Sequence, residues 1–165
     1  MPRPRTVNLL IFLATLGLMA VALFMQYVWE LTPCYLCIVQ RVFVTLTGLI
    51  ALAAFIHNPG VRGVRIYGGA TCVSALAGAG FSIRQLWLQS LPEDLVPACG
   101  PPADYLFDAL PLMEVIPMLL RGDGNCAEVQ WSLFSISIPG YTLIAFAGLA
   151  LLGGYQVLRL KHTGP

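Results

Sequence analysis

Apolar residues gather into four long runs, near Val7–Trp29, Val42–Ile56, Val64–Leu88 and Tyr141–Leu158, and most of the charge lies between them. A membrane-spanning helix needs roughly 20 apolar residues. The first and third runs reach that length outright. The second reaches it if Ile38 and Val39 start it, and the fourth if Ile138 joins it. One such run would suit a buried helix of a soluble domain, but four in one small chain predict spans over about 7–29, 38–56, 64–88 and 139–158. The outer loops then cover about 30–40 and 89–139. The fold class is therefore all-α: an integral membrane four-helix bundle in a single domain, 1–165.

The first run starts like a signal peptide, with Arg3, Arg5, an apolar stretch and Ala20-Val21-Ala22. The apolar stretch continues past that triplet to Val28, which favours an uncleaved first helix. Small residues recur in the third run (Gly68, Gly69, Ala75, Gly78, Ala79, Gly80) and the fourth (Gly148, Gly153, Gly154), and such residues let helix backbones approach closely in lipid. The long second loop is broken by Pro92, Pro97, Pro101, Pro102, Pro111, Pro117 and Pro139. Within it the apolar piece Tyr105–Leu120 is too short and too proline-rich to span. It reads as a helix on the membrane surface or as a packed lid over the helix ends.

Composition supports a lipid environment. Hydrophobic residues make up 58% of the 165 and charged residues 10%, against about a quarter charged in a soluble domain. The net charge of +1, with few scattered basic residues, leaves no nucleic-acid footprint. Arg3 and Arg5, Arg62 and Arg65, and Arg159 and Lys161 all fall on one face if there are four crossings, which makes that face cytoplasmic and places both termini there. All eight acidic residues (Glu30, Glu93, Asp94, Asp104, Asp108, Glu114, Asp123 and Glu128) fall on the other face. Trp29, Trp87, Trp131 and Tyr141 mark the outer boundary, where aromatic belts form.

The candidate chemistry lies in the cysteines. Cys34 and Cys37 form a C-x-x-C in the first outer loop, Cys99 and Cys126 lie in the second, and Cys72 lies inside the third run as a small apolar residue. A zinc site is disfavoured: the pattern is no repeated knuckle, and His57 and His162 fall on the opposite face. A structural Cys99–Cys126 bridge would stabilise by about 3–4 kcal/mol through loop closure. The small ring of Cys34–Cys37 removes little loop entropy and is better explained by exchange chemistry. Pro33 suits the start of a helix, so Cys34 and Cys37 would sit in its first turn, where unpaired N–H groups and the dipole favour a thiolate. Arg41 follows Cys37 by one turn on the same face, able to hold an anion or, alternatively, to snorkel to the interface. No c-type haem, dinucleotide or iron–sulfur motif is present, which leaves a lipid-soluble quinone as the simplest electron acceptor.

Pro33-Cys-Tyr-Leu-Cys-Ile-Val-Gln-Arg41, Gly124-Asn-Cys-Ala-Glu-Val-Gln-Trp131 and Trp87-Leu-Gln-Ser90 resemble the motifs of the DsbB family, bacterial quinone-dependent disulfide-bond oxidoreductases, and the resemblance covers nearly the whole chain. It implies an inner-membrane enzyme with both loops periplasmic. That enzyme would reoxidise a thioredoxin-like dithiol oxidase of DsbA type and pass the electrons to ubiquinone or menaquinone. By position, Cys34 and Cys37 would be the quinone-coupled pair, with Cys37 nearest the quinone, and Arg41 would hold the quinone. Cys99 would be attacked by the partner. Cys126 would be its mate, able to exchange with Cys34. Where some members have a histidine contacting the quinone, this chain has Gln85 with Arg84 beside it. These two stand for the second quinone contact, Arg84 alternatively for an interfacial anchor. The vitamin K epoxide reductase type carries its C-x-x-C at the last helix, unlike this chain. A membrane scaffold with stapled loops is the rival from another class.

Overall fold

The structure, a computed structural model, describes residues 3–159; Lys161 and His162 lie outside these, as do the side chains of Asp104 and Arg159. Among the described residues four helices are long and apolar enough to cross a membrane: α1 (Pro4–Tyr27), α2 (Tyr35–His57), α3 (Val61–Gln89) and, after the long loop, α6 (Ile138–Arg159). The long loop between α3 and α6 contains α4 (Ala103–Ala109), α5 (Leu112–Arg121) and a two-stranded hairpin of β1 (Ser132–Leu133) and β2 (Ile136–Ser137). The all-α membrane bundle expected from the apolar runs is the fold observed.

The helices pack in sequence, α1 on α2 and α2 on α3, and α6 closes the bundle with its most extensive contact on α3. Small residues make that contact possible. A Cβ on Gly153 would stand 2.8 Å from the Gly68 carbonyl oxygen and 2.9 Å from the Cys72 amide, while the Phe146 ring lies directly over Gly78. Lipid offers no hydrophobic drive for helices to associate, so close backbone packing and interhelical hydrogen bonds hold them. Thr47 bonds Ser74 across α2 and α3 at 2.9 Å, and Gln156 donates to Asn8 across α6 and α1 at 2.8 Å. Residues such as Leu10, Ile66 and Leu151 face outward, as a bilayer solvent allows.

Three local features differ from the hydropathy reading. Helix α2 starts at Tyr35, three residues before the apolar run is long enough to mark it. The reason is a sulfur cap at Cys34 together with burial of Tyr35 and Leu36 beneath the long loop, and neither is visible in hydropathy. Pro33 accordingly lies before the helix, and Cys34 is its N-cap instead of a first-turn residue. Helix α1 ends at Tyr27, ahead of a left-handed Glu30 (φ 53°). The β1–β2 hairpin turns through Phe134 and Ser135, both with positive φ (50° and 62°), and carries no glycine to announce it.

The long loop is a lid with an apolar outer face. Leu106, Val115 and Leu119 are buried against Leu36, Val39 and Leu88 at the end of the bundle. On the other side of α5, Leu112, Met113 and Ile116 are exposed, with Met113 at 81%. The buried side fits the packed-lid reading of Tyr105–Leu120, and the exposed apolar side is the kind of face a membrane-surface helix would present.

Candidate redox site

The site begins at the N-terminus of α2. The Cys34 backbone is extended and its sulfur accepts the Cys37 amide N–H at 3.4 Å, so the first cysteine of the C-x-x-C caps the helix that carries the second. One helical turn brings the two sulfurs to 2.7 Å. Between them Tyr35 points the other way, its hydroxyl donating to the Pro101 carbonyl and so tying the long loop to this turn.

The long loop returns two more cysteines to the same place. Cys126 ends a single 3₁₀ turn, Gly124–Cys126, and is fully buried. Its sulfur is hydrogen-bonded with that of Cys34 and faces the Leu36 amide at the start of α2. Cys99 is exposed. Its segment is pinned to the Cys126 turn by the Gly124 amide, which donates to the Ala98 carbonyl at 3.3 Å. Gly124 is required there, because a Cβ would lie 3.0 Å from the Cys99 sulfur and closer still to the Pro97 carbonyl. All four cysteines singled out in the sequence therefore converge at one end of the bundle. Cys72 stays apart in α3, against Gly153.

Electrostatics divide the sulfurs. The hydrogen bonds of the Cys34 thiol to Cys126 and then to Cys37, with burial, push its pKa up. The hydrogen bond from Cys34 pulls the Cys126 pKa below its ordinary value, against burial, and the Leu36 and Asp123 amides add to that effect. Hence Cys126 is disposed to be the nucleophile and Cys34 to stay protonated or bonded.

A polar chain inside the bundle supports the pair. The Gln85 carboxamide, 3% exposed on α3, donates to Cys34 at 3.2 Å and to Cys37 at 3.4 Å. Its oxygen accepts from Gln40 at 2.8 Å, the Gln40 oxygen accepts from Thr142 at 2.9 Å, and Thr142 bonds Ser82 at 3.2 Å. Charge-free donors locked this way cost nothing to reorient when a sulfur gains charge.

Beside Cys37 a cavity of about 340 Å³ opens between α1, α2 and α6. Its walls are mostly apolar, including Leu18, Met25, Val44 and Phe146, and its polar lining groups include Arg41, Gln26, Gln40 and Gln130, with Trp131 and Tyr141 beside them. Arg41 is fixed by donating to Gln26 and, at 3.1 Å, to the Ala22 carbonyl. Trp131 lies between Trp29 and Tyr141 in tilted ring contacts at 6.0 and 6.1 Å. An apolar space with one fixed cation and a thiol on its wall fits the ring and tail of a quinone. Gln85 meets the sulfurs but does not line this cavity. Arg84 donates to the Arg121 carbonyl at 3.2 Å and lies over Trp87, also away from it.

Sequence reasoning missed Gln26, Gln40, Thr142 and Asp123. For the first three the available signal was carboxamides and a hydroxyl in or beside apolar runs, since such groups in a membrane are expensive unless partnered, whereas Asp123 carried no signal beyond being one acidic loop residue.

Comparison with known proteins adds a family. The model of the family DsbB, described as "Disulfide bond formation protein DsbB", matches residues 4–156. A Disulfide bond formation protein B of Saccharophagus degradans is 50% identical over 96% of both chains. One from Hahella chejuensis is 49% identical over 94% of both. Disulfide bond formation protein B 1 of Pseudomonas aeruginosa is 46% identical over 94% of this chain and 96% of its own.

Proposed function

The chain belongs to the DsbB family of disulfide bond formation proteins, a multi-pass membrane disulfide oxidoreductase, and from that premise we propose that it reoxidises a periplasmic thioredoxin-like dithiol protein of DsbA type and delivers the electrons to a membrane quinone, ubiquinone or menaquinone. In this reading the cysteine end faces the periplasm of a bacterial inner membrane and both termini are cytoplasmic. The basic residues Arg5, Arg62 and Arg65 at the opposite end support that orientation.

The observation that carries the proposal is the double position of Cys37. It lies in the sulfur cluster and also on the wall of an apolar cavity that holds Arg41. Exchange starts at exposed Cys99, where the partner's thiolate attacks and forms a mixed disulfide. The partner's second thiol resolves it and leaves oxidised, with Cys99 and Cys126 reduced. Cys126 then attacks Cys34, which releases Cys37 as a thiolate held by Gln85. Resolution by Cys99 restores the Cys99–Cys126 bridge and leaves Cys34 and Cys37 reduced. A bound quinone supplies a two-electron, two-proton acceptor. Arg41, fixed by Gln26, would hold the quinone against the apolar walls of the cavity.

Quinone reduction by the purified protein in detergent, supplied with a reduced thioredoxin-like dithiol protein and followed by quinone absorbance, tests the reading. Turnover that is absent in Cys37→Ser supports it. No turnover with ubiquinone and menaquinone analogues, together with disulfides that survive mild reductant, would replace it with the stapled scaffold.

A further inference from the structure

Asp123 is a carboxylate only 6% exposed, placed at the N-cap of the turn that ends in Cys126. One oxygen, Oδ1, accepts from the Cys126 thiol at 3.4 Å. The other accepts from the amide of Gly100, the residue after Cys99, at 2.9 Å, and from the Asn125 side chain. Asn125 also donates to the Gly100 carbonyl at 3.4 Å. One buried carboxylate thus bridges the backbone beside Cys99 to the sulfur of Cys126. The thiol-exchange steps derived above use the two cysteines and leave this group without a role.

Burying a carboxylate is costly unless hydrogen bonds or chemistry retain it. The loop could be closed with neutral groups, since Gly124 and Asn125 already pin it. Oδ1 instead points at a thiol that must lose its proton before it can attack. The groups facing Asp123 are Cys126 and Asn125 on its own turn, Tyr35 from the start of α2, and the Gly100 amide from the segment that follows Cys99. The thiol is the one that donates a proton to Oδ1.

We propose that Asp123 is the general base of the exchange between the two cysteine pairs, taking the Cys126 proton as Cys126 attacks Cys34. This rests on the exchange sequence proposed above. The proton moves from Cys126 Sγ to Asp123 Oδ1. A bond forms between Cys126 Sγ and Cys34 Sγ, the Cys34–Cys37 bond breaks, and its electron pair leaves on Cys37 Sγ. Cys126 is oxidised and Cys37 reduced, so no outside oxidant is needed. The carboxyl then returns its proton to solvent. The Gly100 contact holds the base in place while Cys99 changes partner.

The full-length chain, purified in detergent without quinone and fully oxidised, is mixed with one equivalent of a reduced thioredoxin-like dithiol protein. The reaction is quenched with acid and alkylating reagent, and the Cys34–Cys126 bridge is quantified by peptide mass across a pH series. Asp123→Asn is expected to form the bridge about a hundredfold more slowly at neutral pH, the low end of the usual range for a lost general base. The deficit should shrink as pH rises and hydroxide removes the proton instead. Asp123→Glu should recover most of the rate. Formation of the mixed disulfide at Cys99 serves as the fold control, and if Asp123→Asn does not pass it, Asp123→Ser, which keeps an acceptor without a carboxylate, takes its place. An unchanged rate, or a deficit equal at every pH, would overturn the assignment. If the native chain forms the Cys99 mixed disulfide but never the Cys34–Cys126 bridge, the exchange sequence itself fails, and the role of Asp123 with it.

Discussion

Replacing Gln85 with leucine tests how the bundle sets the oxidising strength of the Cys34–Cys37 pair. The carboxamide donates to both sulfurs, at 3.2 and 3.4 Å, from a buried position where water cannot replace it. A disulfide is a weak acceptor and a thiolate a strong one, so the donor stabilises mainly the reduced state. Hydrogen bonds to charged groups contribute about 1.5–3 kcal/mol. For a two-electron couple about 1.4 kcal/mol corresponds to 30 mV, so Gln85→Leu should lower the reduction potential by about 30–65 mV. The pair becomes easier to keep oxidised and a poorer acceptor of electrons from Cys126. The assay is equilibrium titration against a thioredoxin-like redox buffer in a Cys99→Ser, Cys126→Ser background, where only this pair exchanges. Gln40→Leu removes the donor that holds the Gln85 oxygen at 2.8 Å and should shift the potential in the same direction by less. A potential that stays constant or rises in Gln85→Leu would refute the reasoning, since the contact would then stabilise both redox states alike.

Arg41→Ala should raise the apparent KM for quinone by about tenfold or more while leaving the KM for the dithiol partner unchanged, as expected for loss of a charged hydrogen bond; steady-state kinetics with each substrate varied in turn separates the two. Gly153→Ala places a methyl 2.8 Å from the Gly68 carbonyl and should cost about 1–3 kcal/mol, measured by denaturant unfolding in micelles, whereas Gly154→Ala, which meets open space, should be near neutral. The hydrogen bond from Cys34 depresses the Cys126 pKa, so a thiolate formed without help from Asp123 persists below the pH at which a free cysteine protonates; in Asp123→Asn the rate of attack on Cys34 should therefore fall only through that lower pKa, as stopped-flow exchange can record. A tryptophan at Met113, on the exposed apolar face of α5, should be quenched by brominated lipid in vesicles if that face rests on the bilayer, and full exposure to aqueous quencher would place it in solvent.

Four helices long and apolar enough to span were legible in the amino-acid sequence, because hydropathy over a spanning length is a local property and a helix satisfies its backbone within one segment. The sequence by itself also determined that Cys37 and Arg41 share a helix face, since both line the cavity one turn apart. The four cysteines were legible as a redox set from their spacing and from the company of Pro33 and the long proline-rich loop. What the sequence did not contain was which groups far apart in the chain would meet in space. Gln85 reaches Cys37 across 48 residues and Thr142 reaches Gln40 across 102, so their role exists only once α3 and α6 close on α2. Asp123 reads as one acidic loop residue among several until the fold buries it between Cys126 and Gly100. Helix starts follow the same logic: Cys34 caps α2 because the long loop covers Tyr35 and Leu36 and excludes water there. Local pattern fixes which segments enter the membrane, while the assignment of a proton, a donor or a cap depends on which distant polar groups desolvate one another when the helices pack.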